Sequence, residues 1–260
     1  MTVWTARACA RLSRWLPDRI VCCGEAAKRA HIELGYAADK MRVIPNGFDV
    51  AAFRPDPAAR DSFRRELGLS DSVPLVALVA RFNPQKDHRT FIEAAGRLHA
   101  IAPQIRFLLC GEEVTWGNPE LAAWIDGARI RDCCCLLGRR EDIPRLTAAV
   151  DVATSSSFSE AFPIAVGEAM ACGVPCVVTD VGDSALMVGE TGVVVPPRDP
   201  KALAAGWRKL LQETSRAGRV QLGLAARQRI AERYSMGKVA AQYEELYRQM
   251  GTAPNPGDID

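Results

Sequence analysis

Residues 151–180, DVATSSSFSEAFPIAVGEAMACGVPCVVTD, determine the fold class of this chain. Two short apolar runs, Asp151–Ser155 and Pro175–Asp180, flank the stretch Ala161–Cys172, which is nearly all apolar and long enough for a helix. Strands that are continuous apolar runs, each followed by a helix, are typical of a parallel sheet with both faces covered. The stretch therefore predicts a strand–helix–strand unit of an α/β domain.

The same alternation continues on both sides of this unit. Further strands are predicted at Leu75–Arg81, Ile105–Gly111, Cys133–Gly138 and Gly192–Val195. Helical patterns occur at Arg89–Ala102, Ile143–Ala149, Asp199–Thr214, Val220–Tyr234 and Met236–Met250. This succession predicts an α/β domain with a Rossmann-like, doubly wound parallel sheet over residues 73–234.

The first 45 residues differ from this domain. They contain a helical segment, two short strands at Asp18–Cys23 and Met41–Pro45, and the helix Glu25–Leu34 between them. Because so few elements cannot close a sheet and a core of their own, we expect residues 1–45 to be a remnant of a second domain.

Three further segments complete the expected organisation. Residues 46–72 are expected to be an interdomain linker, with a loop punctuated by Pro55 and Pro57. Residues 235–250 are expected to form a helix that packs back toward the N-terminal part. Residues 251–260, which are rich in Pro, Gly and Asp, are expected to be a disordered tail.

Composition and charge exclude several classes of protein. The 260 residues are 48% hydrophobic and 25% charged, with 33 basic and 31 acidic side chains, values typical of a folded globular domain. The net charge of +2 lacks the basic excess of a nucleic-acid binder, so no nucleic-acid partner is expected. No apolar run reaches the roughly 18–20 residues that span a bilayer, which argues against an integral membrane protein.

The N-terminus bears on localisation. Arg7, Arg11 and Arg14 interrupt what would be the apolar core of a signal peptide, so the predicted location is cytoplasmic. The three arginines fall on one helical face. This face is either the solvated side of an ordinary amphipathic helix or a peripheral contact with the inner face of the membrane.

Nine cysteines are present at irregular spacing: Cys9, Cys22, Cys23, Cys110, Cys133, Cys134, Cys135, Cys172 and Cys176. Most lie in apolar surroundings, and their odd number without a secretory signal argues against a disulfide framework. No CxxC pair is matched by a second ligand pair, so small buried side chains are favoured over a zinc site.

Two basic residues follow the first strand of the predicted sheet. Arg81 closes the strand and Lys86 follows in the loop, where Pro84 is expected to keep the chain open ahead of the next helix. In parallel sheets ligands gather at the carboxyl ends of strands, and two cations beside a helix N-terminus suit a diphosphate. The alternative is surface charge paired with Asp87 or Glu93.

Neither GxGxxG nor a Gly-Lys-Ser/Thr phosphate loop is present, which argues against dinucleotide dehydrogenases and P-loop NTPases.

The opening stretch also contains two acids separated by seven residues. If Pro163 lies in the first turn of a helix, Glu168 is on that helix among apolar residues and Glu160 is in the preceding loop. A partly buried carboxylate needs a partner, which sugar or ribose hydroxyls could provide. The backbone N–H groups near Phe162 and Ile164 would face an anion at the helix start, while Pro163 donates none. The alternative is one capping acid and one salt-bridged acid.

Several stretches together resemble the C-terminal half of a retaining family-4 glycosyltransferase of GT-B architecture. They are ARFNPQKDHRTFIEAA (80–95), LLGRREDIPRLTAAVDV (136–152), residues 155–180 and TGVVVPPRDPKALA (191–204). The segment PNGFDVAAFRP (45–55) is similar to the interdomain linker of that family. The resemblance implies that residues 73–234 bind the donor and that residues 1–45 belong to an acceptor domain, most of which would lie ahead of residue 18.

Site residues follow from this resemblance position by position. Arg81 and Lys86 match the basic pair that grips the diphosphate of the donor. Glu160 matches the acid that contacts the hydroxyls of the donor sugar, the expected catalytic residue, and Glu168 matches the acid that binds the ribose. Further donor-binding positions are implied at Phe162, Pro163 and Ile164, which match the loop lining sugar and phosphate, and at Arg139 beside Arg140, which borders the nucleobase.

The resemblance also implies the chemistry. A UDP- or GDP-sugar would donate its sugar to a glycan or lipid-linked acceptor in polysaccharide or glycoconjugate synthesis, with neither a metal nor a cofactor. Two departures matter: Ser159 stands where the family commonly has Gly, and the acceptor domain with its histidine is not represented by His31, His88 or His99. We therefore expect the chain to hold the donor site and to be inactive alone. A non-catalytic sugar-nucleotide-binding module, one half of a split enzyme and a sugar-nucleotide epimerase remain alternatives.

Overall fold

The computed structural model describes residues 3–251, so the predicted tail lies outside the described residues except for Gly251. A six-stranded, all-parallel sheet dominates the structure, and two further parallel strands form a small sheet near the N-terminus. The strands are β1 (Ile20–Cys22), β2 (Met41–Val43), β3 (Leu75–Val79), β4 (Arg106–Cys110), β5 (Cys134–Leu136), β6 (Val152–Ser155), β7 (Cys176–Thr179) and β8 (Val193–Val195). Each coincides with a predicted strand, usually one to three residues shorter at its ends.

Eleven α-helices occur in residues 3–251. They are α1 (Val3–Leu12), α2 (Glu25–Glu33), α3 (Pro57–Glu66), α4 (His88–His99), α5 (Pro119–Gly127), α6 (Ile143–Ala149), α7 (Ile164–Ala171), α8 (Ser184–Val188), α9 (Pro200–Arg208), α10 (Arg216–Arg233) and α11 (Met236–Gly251). A π-helical turn, Lys209–Glu213, continues α9 and accounts for the longer helix predicted there.

The large sheet has the strand order β5-β4-β3-β6-β7-β8. The chain therefore builds outward from β3 in one direction and from β6 in the other, which is the doubly wound arrangement. This confirms the predicted fold class, an α/β domain of GT-B type. Helices cover both faces, as continuous apolar strands require.

Two apolar cores lie on the two faces of this sheet. On one face Phe91 of α4, Ile125 of α5 and Trp207 of α9 are buried together. On the other face Phe63 of α3, Met170 of α7 and their neighbours form the second core. Trp207 is fully buried, and its indole N–H donates to Thr154 Oγ1 at 2.9 Å, so its polar atom is satisfied inside the first core.

Helix α3 lies inside the segment that was expected to be a loop around Pro55 and Pro57. Asp56 is its N-cap and accepts from the Ala59 N–H at 2.8 Å, while Pro57 occupies the first helical position, where a missing N–H is no loss. The expectation of a loop is wrong because proline starts a helix as readily as it interrupts one.

The N-terminal segment is attached to the large domain through the linker and α11. Ile44, Val239 and Leu246 are buried against one another, and the Phe48 backbone exchanges hydrogen bonds with Tyr234 and Met236. Helix α11 thus packs on the residues that follow β2.

Six of the nine cysteines are buried, as expected for most of them, whereas Cys23 and Cys135 are half-buried and Cys9 is exposed; all nine are free thiols. Nowhere in residues 3–251 is there a helix with the length and apolarity that crossing a bilayer demands.

Candidate active site

The strand order brings together two loops that carry predicted site residues. β3 and β6 are neighbours at the centre of the sheet, where the winding direction changes. The loop after β3 contains Arg81 and Lys86, and the loop after β6 contains Glu160. Ligands bind at such switch points because the two loops diverge there and leave a crevice.

The loop after β3 is more structured than expected. Residues Pro84–Lys86 form a 3-10 turn, and the Asn83 side chain accepts from the Gln85 N–H at 3.0 Å. Asp87 then takes a left-handed conformation and caps α4 through the Thr90 N–H at 3.1 Å. The expectation that Pro84 keeps this loop open is therefore wrong, since proline and the Asn83 cap stabilise a turn that presents Lys86.

Lys86 and Glu160 form an ion pair across the crevice. The Glu160 side chain is 12% exposed and also accepts from Ser157 Oγ at 2.8 Å. Lys86 pairs with neither Asp87 nor Glu93, the partners of the alternative interpretation; Glu93 instead pairs with Arg89. The structure thus pairs Lys86, which is predicted to bind the diphosphate, with Glu160, which is predicted to bind the sugar.

Two hydroxyl groups hold these loops in place. Ser156 Oγ donates to the Lys86 carbonyl at 2.9 Å, and Thr179 Oγ1 donates to the Ser157 carbonyl at 2.5 Å. The Phe158 N–H donates to the Gln85 carbonyl at 3.0 Å. The serine run 155–157 and Phe158 thus join the two loops through contacts that the sequence pattern does not predict.

Helix α7 begins at Ile164, three residues later than predicted, with Pro163 as its N-cap. Glu160 is therefore in the preceding loop and Glu168 on the helix, as predicted. The N–H groups of the first turn of α7 have no acceptor within the helix, and the loop that carries Glu160 leads directly into that turn. The Phe162 ring packs between Phe48 and Tyr234, at centroid distances of 6.1 Å and 5.9 Å, so the ring is part of the second core.

Glu168 is a partly buried acid on α7. No side chain or backbone group of residues 3–251 forms a hydrogen bond or ion pair with its carboxyl group, in contrast to the salt-bridged alternative. Burial disfavours the ionised form and raises the pKa of Glu168 to about 7. A carboxyl group without a partner is suited to accept hydroxyl hydrogen bonds from a ligand.

The two other predicted donor-binding arginines are Arg81, after β3, and Arg139, after β5. Arg81 and Arg139 are exposed, and neither forms an ion pair within the described part of the chain. Arg140 instead pairs with Asp142 at 2.7 Å and with Glu66 at 3.0 Å, over the ring of Phe63. Arg140 therefore anchors α3, and Arg139 is the residue available to a ligand.

A resident metal ion has no evident ligand set: no cluster of three or more His, Cys, Asp or Glu side chains in residues 3–251 could hold one. The absence of a cofactor remains a prediction.

Two family models match the sequence. Residues 73–213 match the family described as glycosyl transferases group 1, and residues 3–52 match glycosyltransferase family 4. The first match covers more than half of the chain and contains every predicted site residue.

Named relatives and solved structures agree with these families. The chain is 32% identical over 246 residues to a D-inositol 3-phosphate glycosyltransferase of Corynebacterium urealyticum, covering 90% of this chain and 57% of the relative. It is 30% identical over 229 residues to an alpha-maltose-1-phosphate synthase of Mycolicibacterium smegmatis, covering 82% and 57%. The Anabaena protein HepE, crystallised with UDP-glucose, superposes with a TM-score of 0.86 at 23% identity, covering 96% of this chain and 68% of that one. The chain spans little more than half the length of these curated relatives.

Proposed function

The chain belongs to the glycosyl transferases group 1 family, and from that membership we propose that it forms the donor half of a retaining glycosyltransferase active site. The donor is a nucleotide-sugar such as a UDP- or GDP-sugar, and the acceptor is a glycan or a lipid-linked hydroxyl in polysaccharide or glycoconjugate synthesis. Relatives with glycosyltransferase names and a structural neighbour crystallised with UDP-glucose support the donor class.

The observation that carries this proposal is the meeting of Lys86 and Glu160 at the N-terminus of α7. A diphosphate placed there is attracted by the Lys86 and Arg81 cations and by the helix N-terminus. Glu160 then accepts from the donor sugar, and Glu168 accepts from the ribose. Negative charge on the diphosphate grows as the sugar leaves. Lys86, Arg81 and the helix N-terminus therefore stabilise the transition state more than the bound donor, without a metal ion.

Titration calorimetry of UDP and GDP into the purified chain tests the donor site. We expect Lys86→Ala and Glu168→Gln each to weaken nucleotide binding about 10-fold, the size expected for one lost charge-assisted hydrogen bond. Arg89→Ala is the matched control, since Arg89 lies three residues from Lys86 and pairs with Glu93 on the exposed face of α4. Equal binding by wild type and both site variants, or no binding of either nucleotide, overturns the proposal.

We further propose that this chain alone has little or no transfer activity, because the match to glycosyltransferase family 4 ahead of the donor domain covers residues 3–52 alone. Transfer with retained anomeric configuration is expected only when a separately produced acceptor-binding domain is added. Product analysis by NMR distinguishes the outcomes: robust transfer by the chain alone contradicts the half-site proposal, and an inverted product contradicts retention.

A non-catalytic binding module or one half of a split enzyme is the second candidate, and the N-terminal surface favours the split enzyme. Trp4 and Trp15 are 80% and 74% exposed, beside the exposed Leu12 and Leu16, and the two-stranded sheet β1-β2 has open edges. A surface of this kind is typical of an interface with another folded unit. Gel filtration of the chain with the added domain separates the candidates, since a binding module forms no stable complex.

Peripheral membrane contact is a separate proposal for the basic side of the same segment. Arg7, Arg11 and Arg14 line one groove with Trp15, and no described carboxylate lies within ion-pair distance of the three arginines. Cosedimentation with vesicles of anionic lipid is expected, and it should fall at least 10-fold when Arg7 and Arg11 are both replaced by Glu. Binding that is equal to neutral and anionic vesicles contradicts it.

A further inference from the structure

Asp183 links two parts of the molecule that are far apart in sequence. It precedes α8 in the loop after β7, and its carboxylate oxygens accept from the backbone N–H groups of Glu25 and Ala26, at 2.7 Å and 2.8 Å. These are the first two residues of α2 in the N-terminal segment. We propose that Asp183 is a positioning residue that fastens α2 to the loop carrying Glu160.

The cap that Asp183 provides is directed away from its own helix. Asp183 occupies the N-cap position of α8, but its side chain caps no N–H there, and it is 5% exposed. Helix α2 begins after Gly24, which has no side chain to cap it. A carboxylate at a helix N-terminus is favoured both by hydrogen bonding and by the helix dipole. Asp183 therefore caps the N-terminus of α2, which Gly24 has no side chain to do.

The other half of the link is the backbone contact behind Glu160. The Asp183 N–H donates to the Ala161 carbonyl at 3.3 Å. Gly182 has a φ of +57°, and a Cβ on it would lie 2.3 Å from the Glu160 carbonyl oxygen. A Cβ on Gly24 would likewise lie 2.6 Å from Asp183 Oδ2 and 3.2 Å from the Ala161 carbonyl. Glycine at both positions allows α2, the Asp183 loop and residues 160–161 to touch directly.

This arrangement couples the position of α2 to the position of Glu160. Because residues 160–161 contact the Asp183 loop and Asp183 holds α2, displacement of α2 moves the backbone from which the Glu160 side chain projects. A motion of the N-terminal segment is thereby transmitted to the carboxylate that faces Lys86. The link itself is independent of any ligand, whereas its consequence for the donor sugar rests on the proposed function.

Hydrogen exchange of the full chain, followed by mass spectrometry, tests the link without a ligand. In Asp183→Ala, we expect exchange of residues 25–28 and also of residues 159–163 to rise about 10-fold, the effect of losing charge-assisted hydrogen bonds. Strand β3 should keep its protection. Asp199→Ala is the matched control, since Asp199 caps α9 through the Ala202 N–H at 2.9 Å and should affect only that helix. A rise confined to residues 25–28 overturns the proposal, because Asp183 would then be a simple cap.

A second variant approaches the same contact from the other side. Gly24→Ala inserts a methyl group against Asp183 Oδ2 and should reproduce the two-site rise in exchange while keeping every charge. If Asp183→Ala fails to fold, Gly24→Ala and Asp183→Asn, which retains one acceptor oxygen, carry the test. Unchanged exchange of residues 159–163 in Gly24→Ala contradicts the link.

Ligand binding supplies a readout that a purely structural role would not move. We expect Asp183→Ala to weaken UDP-glucose about 10-fold but UDP less than 2-fold, since Glu160 faces the sugar and Lys86 and Glu168 face the nucleotide. Equal losses for both ligands contradict a positioning role. If wild type binds neither ligand while the exchange result holds, the proposed function fails and the link stands.

Discussion

Lys86 and Glu160 are 74 positions apart in the sequence, yet they form an ion pair because their loops follow the neighbouring central strands β3 and β6. Under the proposed function, a donor diphosphate would compete with Glu160 for the ammonium group of Lys86. Binding of a diphosphate at Lys86 would then weaken or break the ion pair with Glu160.

Removing the competing carboxylate should tighten the binding of a bare nucleoside diphosphate. We expect Glu160→Gln to bind UDP about 5-fold more tightly than wild type, which corresponds to an ion pair of about 1 kcal/mol. UDP-glucose should not gain to the same extent, because the Gln amide is a weaker acceptor for a sugar hydroxyl than a carboxylate. Calorimetry with both ligands measures the difference.

The control for this experiment is Glu93→Gln, which removes the partner of Arg89 on the same helix without approaching the crevice. It should leave both affinities unchanged. Weaker UDP binding by Glu160→Gln would mean that Glu160 organises the site for the diphosphate and does not compete with it.

Glu168 makes stability depend on pH with a sign opposite to that of most acids. Its pKa is raised to about 7 in the folded chain from 4.5, so burial of this carboxyl costs nothing below pH 4.5, stability falls as pH rises from 4.5 to 7, and the loss is complete above pH 7. Glu168→Gln removes the penalty. We expect the variant to be more stable than wild type by on the order of 1–2 kcal/mol at pH 8.5, after allowing for partial exposure, and equal to it at pH 4.5.

Urea unfolding at the two pH values measures this effect. Glu244→Gln, at an exposed position of α11, should show no difference between them. A stability gain for Glu168→Gln that is equal at both pH values would show that burial of the charge is not its cause.

The fold could be predicted because its signal is local. The six strands of the large sheet are short and mostly apolar, and each is predicted from the sequence. Helices α3 and α5 are not predicted, since each begins with an Asp or Asn cap followed by proline, at Asp56 and Asn118, a pattern that also describes a turn. Helix α9 has the same start at Asp199 but is predicted because a longer helical pattern follows it. The short helix α8 has too few residues for a periodic pattern.

The site could be predicted only in part, because its contacts depend on strand order. Spacing placed Glu160 before a helix and Glu168 on it, but not Lys86 opposite Glu160, since that requires β3 and β6 to be neighbours. Asp183 gave no signal at all. Its partners are backbone groups of α2, and backbone groups leave no trace in a sequence pattern.

The ion network under α3 should contribute strongly to stability. Asp151 accepts from Arg60 at 2.9 Å, from Arg64 at 3.0 Å and from the Leu75 N–H at 2.8 Å. Because Arg64 is 2% exposed and its other carboxylate partner, Asp71, lies 3.9 Å away, Asp151→Ala removes the closer of its two carboxylates from a buried guanidinium. We expect a loss of about 3–5 kcal/mol in the free energy of unfolding.

The exposed end of the same network provides a comparison. Asp71 also pairs with Arg60, at 2.7 Å, but its side chain is 45% exposed. Asp71→Ala should cost only about 0–1 kcal/mol in the same urea titration. Similar losses for Asp71→Ala and Asp151→Ala would contradict the assignment of stability to burial.

Phe48 and Gly167 fit each other closely where the linker crosses α7. Phe48 is 3% exposed, and a Cβ on Gly167 would lie 2.0 Å from a carbon atom of its ring. Gly167→Ala should therefore displace Phe48, and Phe48→Ala should cost about 3–5 kcal/mol by leaving a cavity. In the double variant the added methyl group occupies part of that cavity, so the combined loss should be smaller than the sum of the single losses by at least about 1 kcal/mol.

A double-variant cycle by urea unfolding measures this coupling, with Gly237→Ala, which has open space around it, as the control. Additive losses would mean that the two residues are not in the contact described, and the linker would then be held by the hydrogen bonds of Phe48 with Tyr234 and Met236, at the junction of α10 and α11, and not by α7.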